Sequence, residues 1–297
     1  MRYLLVVTLL WAFSFSLIGE YLAGQVDSYF AVLTRIVIAG LVFLPFTRWR
    51  GVANGFKASM LVIGALQFGV TYVCLYLSFS VLSVPEVLLF TILTPLHVTL
   101  IEDALNRRFN PWALVAAAVA VIGAGVIRFD QISPDFFWGF LLLQVANATF
   151  AAGQVFYKHL LPRYPSTIAP FQRFGYFYLG ALIVALPAFL IFGNAAHMPA
   201  TATQWGVLLW LGVMASGLGL YWWNKGASKV DGATLAVMNN LLVPAGLLVN
   251  LLLWNHQADW LRLGLGAAVI GLSLVISHFA RLPVREHDSG AASTKAQ

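Results

Sequence analysis

The stretch Ser83–Asn106, SVPEVLLFTILTPLHVTLIEDALN, decides the fold of this chain. It is long and apolar enough to cross a bilayer, yet it contains Glu86, Pro95 and His97. Ionisable groups are costly in hydrocarbon, and membrane proteins place them mainly where helices enclose a cavity or a relay. Pro95 lacks an N–H and leaves a backbone carbonyl one turn earlier without its helical partner. The stretch therefore predicts a membrane helix that breaks near its middle and faces a pathway.

The composition indicates that lipid is the solvent of this protein. Of its 297 residues, 60% are hydrophobic and 9% are charged, whereas soluble domains have about 25% charged residues. The net charge of +6 does not favour a nucleic-acid partner, because the basic residues lie in short turns between apolar runs. Cys74 is the single cysteine, which excludes a disulfide framework and a cysteine-based metal site. The expected partners are the lipid bilayer and a small-molecule substrate, and the sequence does not indicate an oligomeric state.

Ten membrane-spanning helices are predicted, because each crossing needs about 20 residues. We therefore expect an all-α polytopic membrane protein. Residues 1–22 are interpreted as a retained first helix, since no small-residue cleavage site follows the apolar run. The polar segment 281–297 is expected to be a disordered cytoplasmic tail. The expected helices lie near residues 4–22, 29–46, 58–78, 83–105, 111–128, 136–157, 170–192, 205–224, 232–254 and 260–279.

The distribution of lysine and arginine predicts the orientation in the membrane. With a cytoplasmic N-terminus, thirteen basic residues lie in inside segments. Two, Arg128 and Arg262, lie outside. Such an excess marks the cytoplasmic side. We expect a multi-pass protein of the bacterial inner membrane with both termini in the cytoplasm.

The two halves of the chain carry matching landmarks in the same order. Pro95 matches Pro244 at a separation of 149 residues, and a helix break is expected at both prolines. Arg35 aligns with Arg173. Because each half has five spans, an odd number, the halves must have opposite orientations. Inverted repeats of this kind are typical of secondary transporters, whose substrate site lies near the midplane between the repeats. The predicted repeats are residues 1–130 and 131–280.

These landmarks resemble those of the EamA-type branch of the drug/metabolite transporter superfamily. The residues that carry the resemblance are Leu10–Ser14 (LWAFS) in the first span, Arg35 in the second, and Pro95 and Pro244 in the fourth span of each half. The resemblance covers essentially residues 3–280. It implies ten spans in two halves and a transport function, and it specifies the fold more closely than the substrate.

Uncharged polar and aromatic side chains at similar depths on different spans predict a central cavity. Such groups suit a pocket for a small amphipathic metabolite, although asparagine and glutamine also join helices in membranes by hydrogen bonds. We expect the first, third, fourth, sixth, eighth and ninth spans to line this cavity. The candidate substrate-binding residues are Trp11, Ser14, Gln67, Tyr72, His97, Asn147, Asn239 and Asn240.

Glu86 and His97 are candidates for proton coupling. They fall on one stripe of the helix and are about 16 Å apart along its axis, at about 1.5 Å per residue. Glu86 could carry a proton near the outer mouth, or it could be an interfacial carboxylate that reaches the headgroups. His97 could bind a proton or a substrate carboxylate, or it could be a core histidine bonded to a helix carbonyl.

Arg35 and Arg173 also lie within predicted spans. Each could attract an anionic substrate or pair with a carboxylate such as Glu20 or Glu86. The interpretation that we favour from the sequence is that both side chains extend to the headgroups, as long basic side chains commonly do.

A secondary transporter that works by alternating access is the function that the sequence favours. Its substrate class would be an amino acid, amine, carboxylate or vitamin, and it would act either as a proton-coupled carrier or as an exporter running down a gradient. The alternatives are a non-transporting membrane subunit or an intramembrane lipid-modifying enzyme, for which Glu20, His159 and His256 are too scattered. No phosphate-binding loop, metal-ligand cluster or catalytic triad has credible spacing, so we expect no cofactor, no metal and no enzymatic activity.

Overall fold

The computed structural model describes residues 2–105, 107, 134–165, 167–230 and 232–254, with scattered positions between 111 and 122 and between 261 and 276. These residues form helices and turns and no strand. Among the described residues, seven helical runs are long and apolar enough to cross a membrane, and Met238–Leu253 is a further, shorter apolar helical segment. The protein is therefore a multi-pass membrane protein whose described part is all-helical.

Several of the described helices are joined by short turns. Asp27 and Thr201 precede two of them and accept a hydrogen bond from a backbone N–H of the first turn, at 2.7 and 3.2 Å, as N-cap residues do. The helices are α1 (Arg2–Tyr21), α2 (Ser28–Phe43), α3 (Asn54–Gly64), α4 (Thr71–Ser78), α5 (Val84–Thr91), α6 (Thr94–Leu105), α7 (Pro134–Arg163), α8 (Pro170–Arg173), α9 (Gly175–Phe192), α10 (Ala202–Trp210), α11 (Leu220–Ala227) and α12 (Gly232–Leu253).

Eight of the ten expected spans correspond to described helices, although several of these are composite. The span expected at 58–78 comprises α3, α4 and the turns between them, and the one expected at 205–224 comprises α10, α11 and their connection. The expected spans at 111–128 and 260–279 and the tail at 281–297 lie mostly or wholly outside the residues that the structure describes.

The helix that contains Pro95 is interrupted between Thr91, where α5 ends, and Thr94, where α6 begins. The Thr91 carbonyl is the one that the missing Pro95 N–H would have bonded, and it accepts a 2.7 Å hydrogen bond from Thr94 Oγ1. The neighbouring Phe90 carbonyl accepts a 2.9 Å bond from Asn147 Nδ2 of α7. Side chains thus satisfy the carbonyls at the break, as broken membrane helices require.

Pro244 does not break its helix. The sequence predicts an interruption there by analogy with Pro95, but α12 continues from Gly232 to Leu253 with Pro244 inside it. A proline removes one hydrogen bond and can be accommodated within a long membrane helix packed against neighbours. The two fourth spans therefore differ in geometry although both contain a proline.

Two spans contain wider, π-helical turns near their middles, at Ala65–Val70 and Leu211–Gly219. A π-helical turn bonds residue i to i+5 and leaves carbonyls available to other partners. In Leu211–Gly219, the Ala215 carbonyl accepts a 3.0 Å bond from Trp11 Nε1, and the Gly217 carbonyl accepts a 2.8 Å bond from the Tyr178 hydroxyl. Side chains of α1 and α9 therefore anchor this wide segment.

Glycines allow helices from the first and second halves of the chain to pack with their backbones in close contact. A side chain at Gly64 of α3 would collide with the Phe177 carbonyl of α9, and one at Gly180 would collide with the Leu61 carbonyl. A side chain at Gly212 would meet Ile38 of α2. The third span thus packs on the seventh, and the eighth span packs on the second.

Candidate functional site

A cavity of about 80 Å³ lies among the helices near the middle of the spans. It is lined by α1, α4, α5, α6, α7, α11 and α12, which belong to the six spans expected to line a cavity, and also by α2. Its aromatic and polar lining residues are Trp11, Ser14, Phe15, Arg35, Thr71, Tyr72, Thr91, Thr94, Asn147, Phe150, Trp223 and Asn239.

The charged group of this lining is the Arg35 guanidinium. Nε donates to Ser216 Oγ at 3.0 Å, Nη1 to the Tyr76 hydroxyl at 2.9 Å and Nη2 to the Tyr72 hydroxyl at 3.3 Å. The guanidinium carbon also lies 4.5 Å from the centre of the Tyr72 ring and 5.5 Å from that of Tyr76, within cation–π range. Only 1% of the Arg35 surface is exposed. The expectation that Arg35 extends to the headgroups is therefore wrong, because partners on α4 and in the Leu211–Gly219 turn hold it inside the bundle.

Indole rings form an aromatic wall of the cavity. The ring centres of Trp11 and Trp223 are 4.8 Å apart, and Phe150 packs edge-on against Trp11 at 5.7 Å. Each indole N–H is already bonded, Trp11 Nε1 to the Ala215 carbonyl at 3.0 Å and Trp223 Nε1 to Gln154 Oε1 at 3.3 Å. The rings are thus fixed in orientation and present their faces and edges to a ligand.

Amide side chains form a second part of the lining. Asn239 Nδ2 donates to the Leu235 carbonyl at 3.0 Å and lies 3.4 Å from Gln154 Oε1. Asn147 Nδ2 bonds the Phe90 carbonyl, and its Oδ1 lies 3.4 Å from Thr94 Oγ1. Both amides therefore link helices and line the cavity at the same time.

Five of the eight candidate substrate-binding residues come together around the cavity, namely Trp11, Ser14, Tyr72, Asn147 and Asn239. The other three are placed elsewhere, as follows.

Gln67, His97 and Asn240 are not part of the lining. Gln67 is fully buried and packs beneath Gly153 of α7. His97 Nδ1 lies 3.0 Å from the Leu93 carbonyl, which is the arrangement of a core histidine bonded to its own helix. Asn240 follows Asn239 and is half-buried, with its Oδ1 atom enclosed.

Glu86 occupies the first turn of α5 and is buried rather than exposed to headgroups. Its Oε2 atom accepts hydrogen bonds from the Ser83 backbone N–H at 2.8 Å and from Ser83 Oγ at 2.7 Å. This is the reciprocal bond of a capping box. The carboxylate therefore has a structural use as part of the cap of α5.

Arg173, the sequence counterpart of Arg35, has a different environment. It ends α8, and its guanidinium carbon lies 4.9 Å from the centre of the Phe56 ring. The side chain is 8% exposed and is not among the residues that line the cavity. The expectation of a side chain extended to the headgroups is wrong here as well, because Arg173 packs against α3.

Comparison with known proteins identifies the family. The profile of the EamA-like transporter family matches residues 1–129. A probable biotin transporter of Pseudomonas aeruginosa is 67% identical over 285 residues, which are 96% of this chain and 100% of the relative. This chain belongs to the EamA-like transporter family. It is a membrane transporter of a small molecule.

Two further comparisons extend over most of this EamA-like transporter. The biotin transporter of Escherichia coli K12 is 50% identical over 275 residues, which are 92% of this chain and 91% of the relative. A solved crystal structure superposes with a TM-score of 0.65, covering 94% of this chain and 97% of the solved chain. At 18% sequence identity, that likeness shows the fold alone.

Four residues around the cavity of this transporter are not among those predicted from the sequence. They are Tyr76 and Ser216, which hold Arg35, Trp223 in the aromatic wall, and Gln154, which links Trp223 and Asn239. Tyr76 could have been found, because it lies one helical turn after Tyr72 and shares its face. Ser216 could not, because its position depends on the π-helical turn.

Proposed function

We propose that this protein is a secondary transporter that carries biotin across the bacterial inner membrane by alternating access. Two relatives that match over nearly their full length, at 67% and 50% identity, are named a probable biotin transporter and a biotin transporter. Biotin belongs to the vitamin class that the sequence analysis includes. The substrate crosses unchanged, so the protein acts as a transporter and not as an enzyme.

The observation that carries this proposal is the chemical character of the cavity. Biotin has a fused ureido and thiophane ring system and a flexible acid chain. The Trp11–Trp223 wall offers apolar contact for the rings, and Asn147 and Asn239 offer amide groups near the same space. A mostly apolar pocket with a few placed polar groups is the usual form of a small-molecule site.

The size of the cavity supports a mechanism with moving helices. A single water molecule needs about 10–15 Å³ on a comparable measure, so a cavity of about 80 Å³ has room for several waters but not for a fused bicyclic ligand. We infer that the described conformation is a narrow state of the transport cycle. Binding then requires the helices or the side chains around the cavity to separate.

The proposed architecture is ten spans in two inverted repeats, residues 1–130 and 131–280. Two contacts between the repeats support this architecture. Helix α3 of the first repeat packs on α9 of the second repeat, and the Leu211–Gly219 segment of the second repeat packs on α2 of the first repeat. A pseudo-two-fold relation between the halves accounts for this pairing. The excess of basic residues on one side supports cytoplasmic termini.

Uptake of radiolabelled biotin into proteoliposomes tests the function. We expect saturable uptake that unlabelled biotin inhibits, compared with protein-free liposomes. The proposal is wrong if the reconstituted, folded protein gives no uptake with an imposed pH gradient or membrane potential of either sign, and biotin does not raise its unfolding temperature.

A pair of neighbouring variants separates the cavity from the lipid-facing surface. Ala146 lines the cavity and is 3% exposed, whereas Val145 is 46% exposed on the same helix. We expect Ala146→Phe to fill the cavity and remove most of the uptake, and Val145→Phe to retain it. Equal uptake by the two variants would contradict the assignment of this cavity to the substrate.

A further inference from the structure

We propose that Arg35 is the residue that binds the carboxylate of the substrate inside the cavity. This inference rests on the proposed function and names the group of the substrate that the cavity recognises. It starts from a buried charge in the cavity lining whose contacts with the described residues include no counter-charge.

The contacts of Arg35 within the described chain are hydroxyl groups and aromatic rings. Ser216, Tyr72 and Tyr76 accept its hydrogen bonds, and the two tyrosine rings lie within cation–π distance. These neutral groups stabilise the cation, but none of them neutralises it. A buried charge with only neutral partners is costly to maintain, which indicates that it has a functional role.

The guanidinium also retains hydrogen-bonding capacity. An arginine side chain has five N–H donors, and the bonds to Ser216, Tyr72 and Tyr76 use three of them. Two donors, one on each terminal nitrogen, remain without an acceptor in the part of the chain that the structure describes. A planar carboxylate accepts two parallel N–H bonds from such a group, in a charge-assisted pair.

The position of Arg35 allows a substrate carboxylate to reach it. Arg35 lines the same cavity as Asn147, Asn239 and the Trp11–Trp223 wall. Biotin carries its single carboxylate at the end of the acid chain, away from the ureido ring. Arg35 thus holds the acid end of the ligand, while the aromatic and amide lining receives the ring system.

Competition by neutral analogues tests this assignment in the wild-type protein. Biotinamide and biotin methyl ester keep the rings and the chain but lack the negative charge. A hydrogen bond to a charged group is stronger than one to a neutral group. We therefore expect unlabelled biotin to inhibit the uptake of labelled biotin at a concentration about 10- to 100-fold lower than that required of either analogue.

Variants at Arg35 then locate the source of that preference. The ratio to measure is the inhibitory concentration of biotinamide divided by that of biotin, and we expect Arg35→Gln to reduce it to about one. Thermal unfolding in detergent reports whether the variant is folded. Arg35→Lys keeps the charge but loses the planar pair of donors, so an intermediate ratio is expected. Arg173→Gln is the matched control, because it removes a buried arginine that does not line the cavity, and it is expected to keep the wild-type ratio.

The outcomes distinguish the two proposals. Absence of biotin uptake by the wild type contradicts the proposed function. Biotin uptake with equal inhibition by biotin and biotinamide contradicts the role of a carboxylate site. A preference for biotin that persists in Arg35→Gln places that site elsewhere. If Arg35→Gln does not fold, the ratio of inhibitory concentrations measured for Arg35→Lys tests the proposal. A ratio in Arg35→Lys equal to that of the wild type contradicts bidentate binding of the carboxylate by Arg35.

Discussion

The Arg35 guanidinium is surrounded by groups that stabilise its charge. Its contacts with Tyr72, Tyr76 and Ser216 are those of a cation. We expect the dependence of transport on a pH gradient to come from another group.

Glu86 is the residue at which we predict such a dependence, as one of two proton-responsive positions with His97. Its Oε2 atom accepts both bonds from Ser83, and the amide oxygen of glutamine can accept the same two bonds. Glu86→Gln therefore removes the charge and can keep the cap of α5. In proteoliposomes, we expect this variant to lose the stimulation of uptake by a pH gradient but to retain exchange of labelled for unlabelled biotin.

Two further variants complete this test. Glu102→Gln removes a carboxylate from the same membrane span and is expected to keep the response to the pH gradient. His97→Ala is expected to weaken substrate affinity more than it changes coupling. A wild-type response in Glu86→Gln would leave the carboxylate with its capping role alone.

At the scale of the element, the two prolines explain what could be predicted from the sequence and what could not. Near Pro95, Thr94 and Asn147 supply donors to the exposed carbonyls, and the helix breaks. At Pro244 the helix continues. A proline predicts a weakened helical turn, but the contacts with neighbouring helices decide whether that turn opens. Those contacts cannot be derived from a single sequence.

The residues around the cavity could also be predicted only in part, because contacts between distant segments are not visible in a single sequence. Apolar runs predicted the spans, because the bilayer sets their length, and shared depth predicted that Trp11, Tyr72, Asn147 and Asn239 would lie together. The environment of Arg35 could not be predicted, because Ser216 contacts it from 181 residues away through a π-helical turn.

Close packing of α3 on α9 gives a prediction for the stability of the bundle. A methyl group at Gly64 would collide with the Phe177 carbonyl, which cannot move without its helix. We expect Gly64→Ala to lower the free energy of unfolding by about 1–3 kcal/mol, the usual cost of overpacking, measured by denaturation in mixed detergent micelles.

Gly206 provides the matched control for this substitution. It lies in α10, and nothing lies within 4 Å of the position that a side chain there would take. Gly206→Ala is expected to be neutral or to raise stability by up to about 1 kcal/mol through helix propensity. Destabilisation of the two variants to the same extent would show that the backbone contact between α3 and α9 does not limit packing.

At the scale of the whole molecule, the orientation of the chain is the prediction on which the inverted repeat depends. We expect both termini in the cytoplasm, because that orientation would place thirteen basic residues in cytoplasmic segments and two on the other side. A C-terminal alkaline phosphatase fusion should therefore be inactive, whereas a C-terminal green fluorescent protein fusion should fluoresce.

A fusion at the turn between α1 and α2 serves as the control for that experiment. Residues 22–27 lie at the opposite end of the first span, so alkaline phosphatase fused there to a truncated chain is expected to be active. Activity of the C-terminal phosphatase fusion would indicate an odd number of spans and would exclude the proposed pair of five-helix repeats.

The contact between Arg35 and Ser216 has a consequence for how the protein is made. Ser216 is synthesised 181 residues after Arg35, whereas Tyr72 and Tyr76 follow it by 37 and 41 residues. At about 5–20 residues per second, the ribosome takes roughly 10–35 s to reach Ser216. During that interval, Tyr72 and Tyr76 are the two of these three partners that the nascent chain already contains. The hydrogen bond from Arg35 to Ser216 can form only after the eighth span has been synthesised.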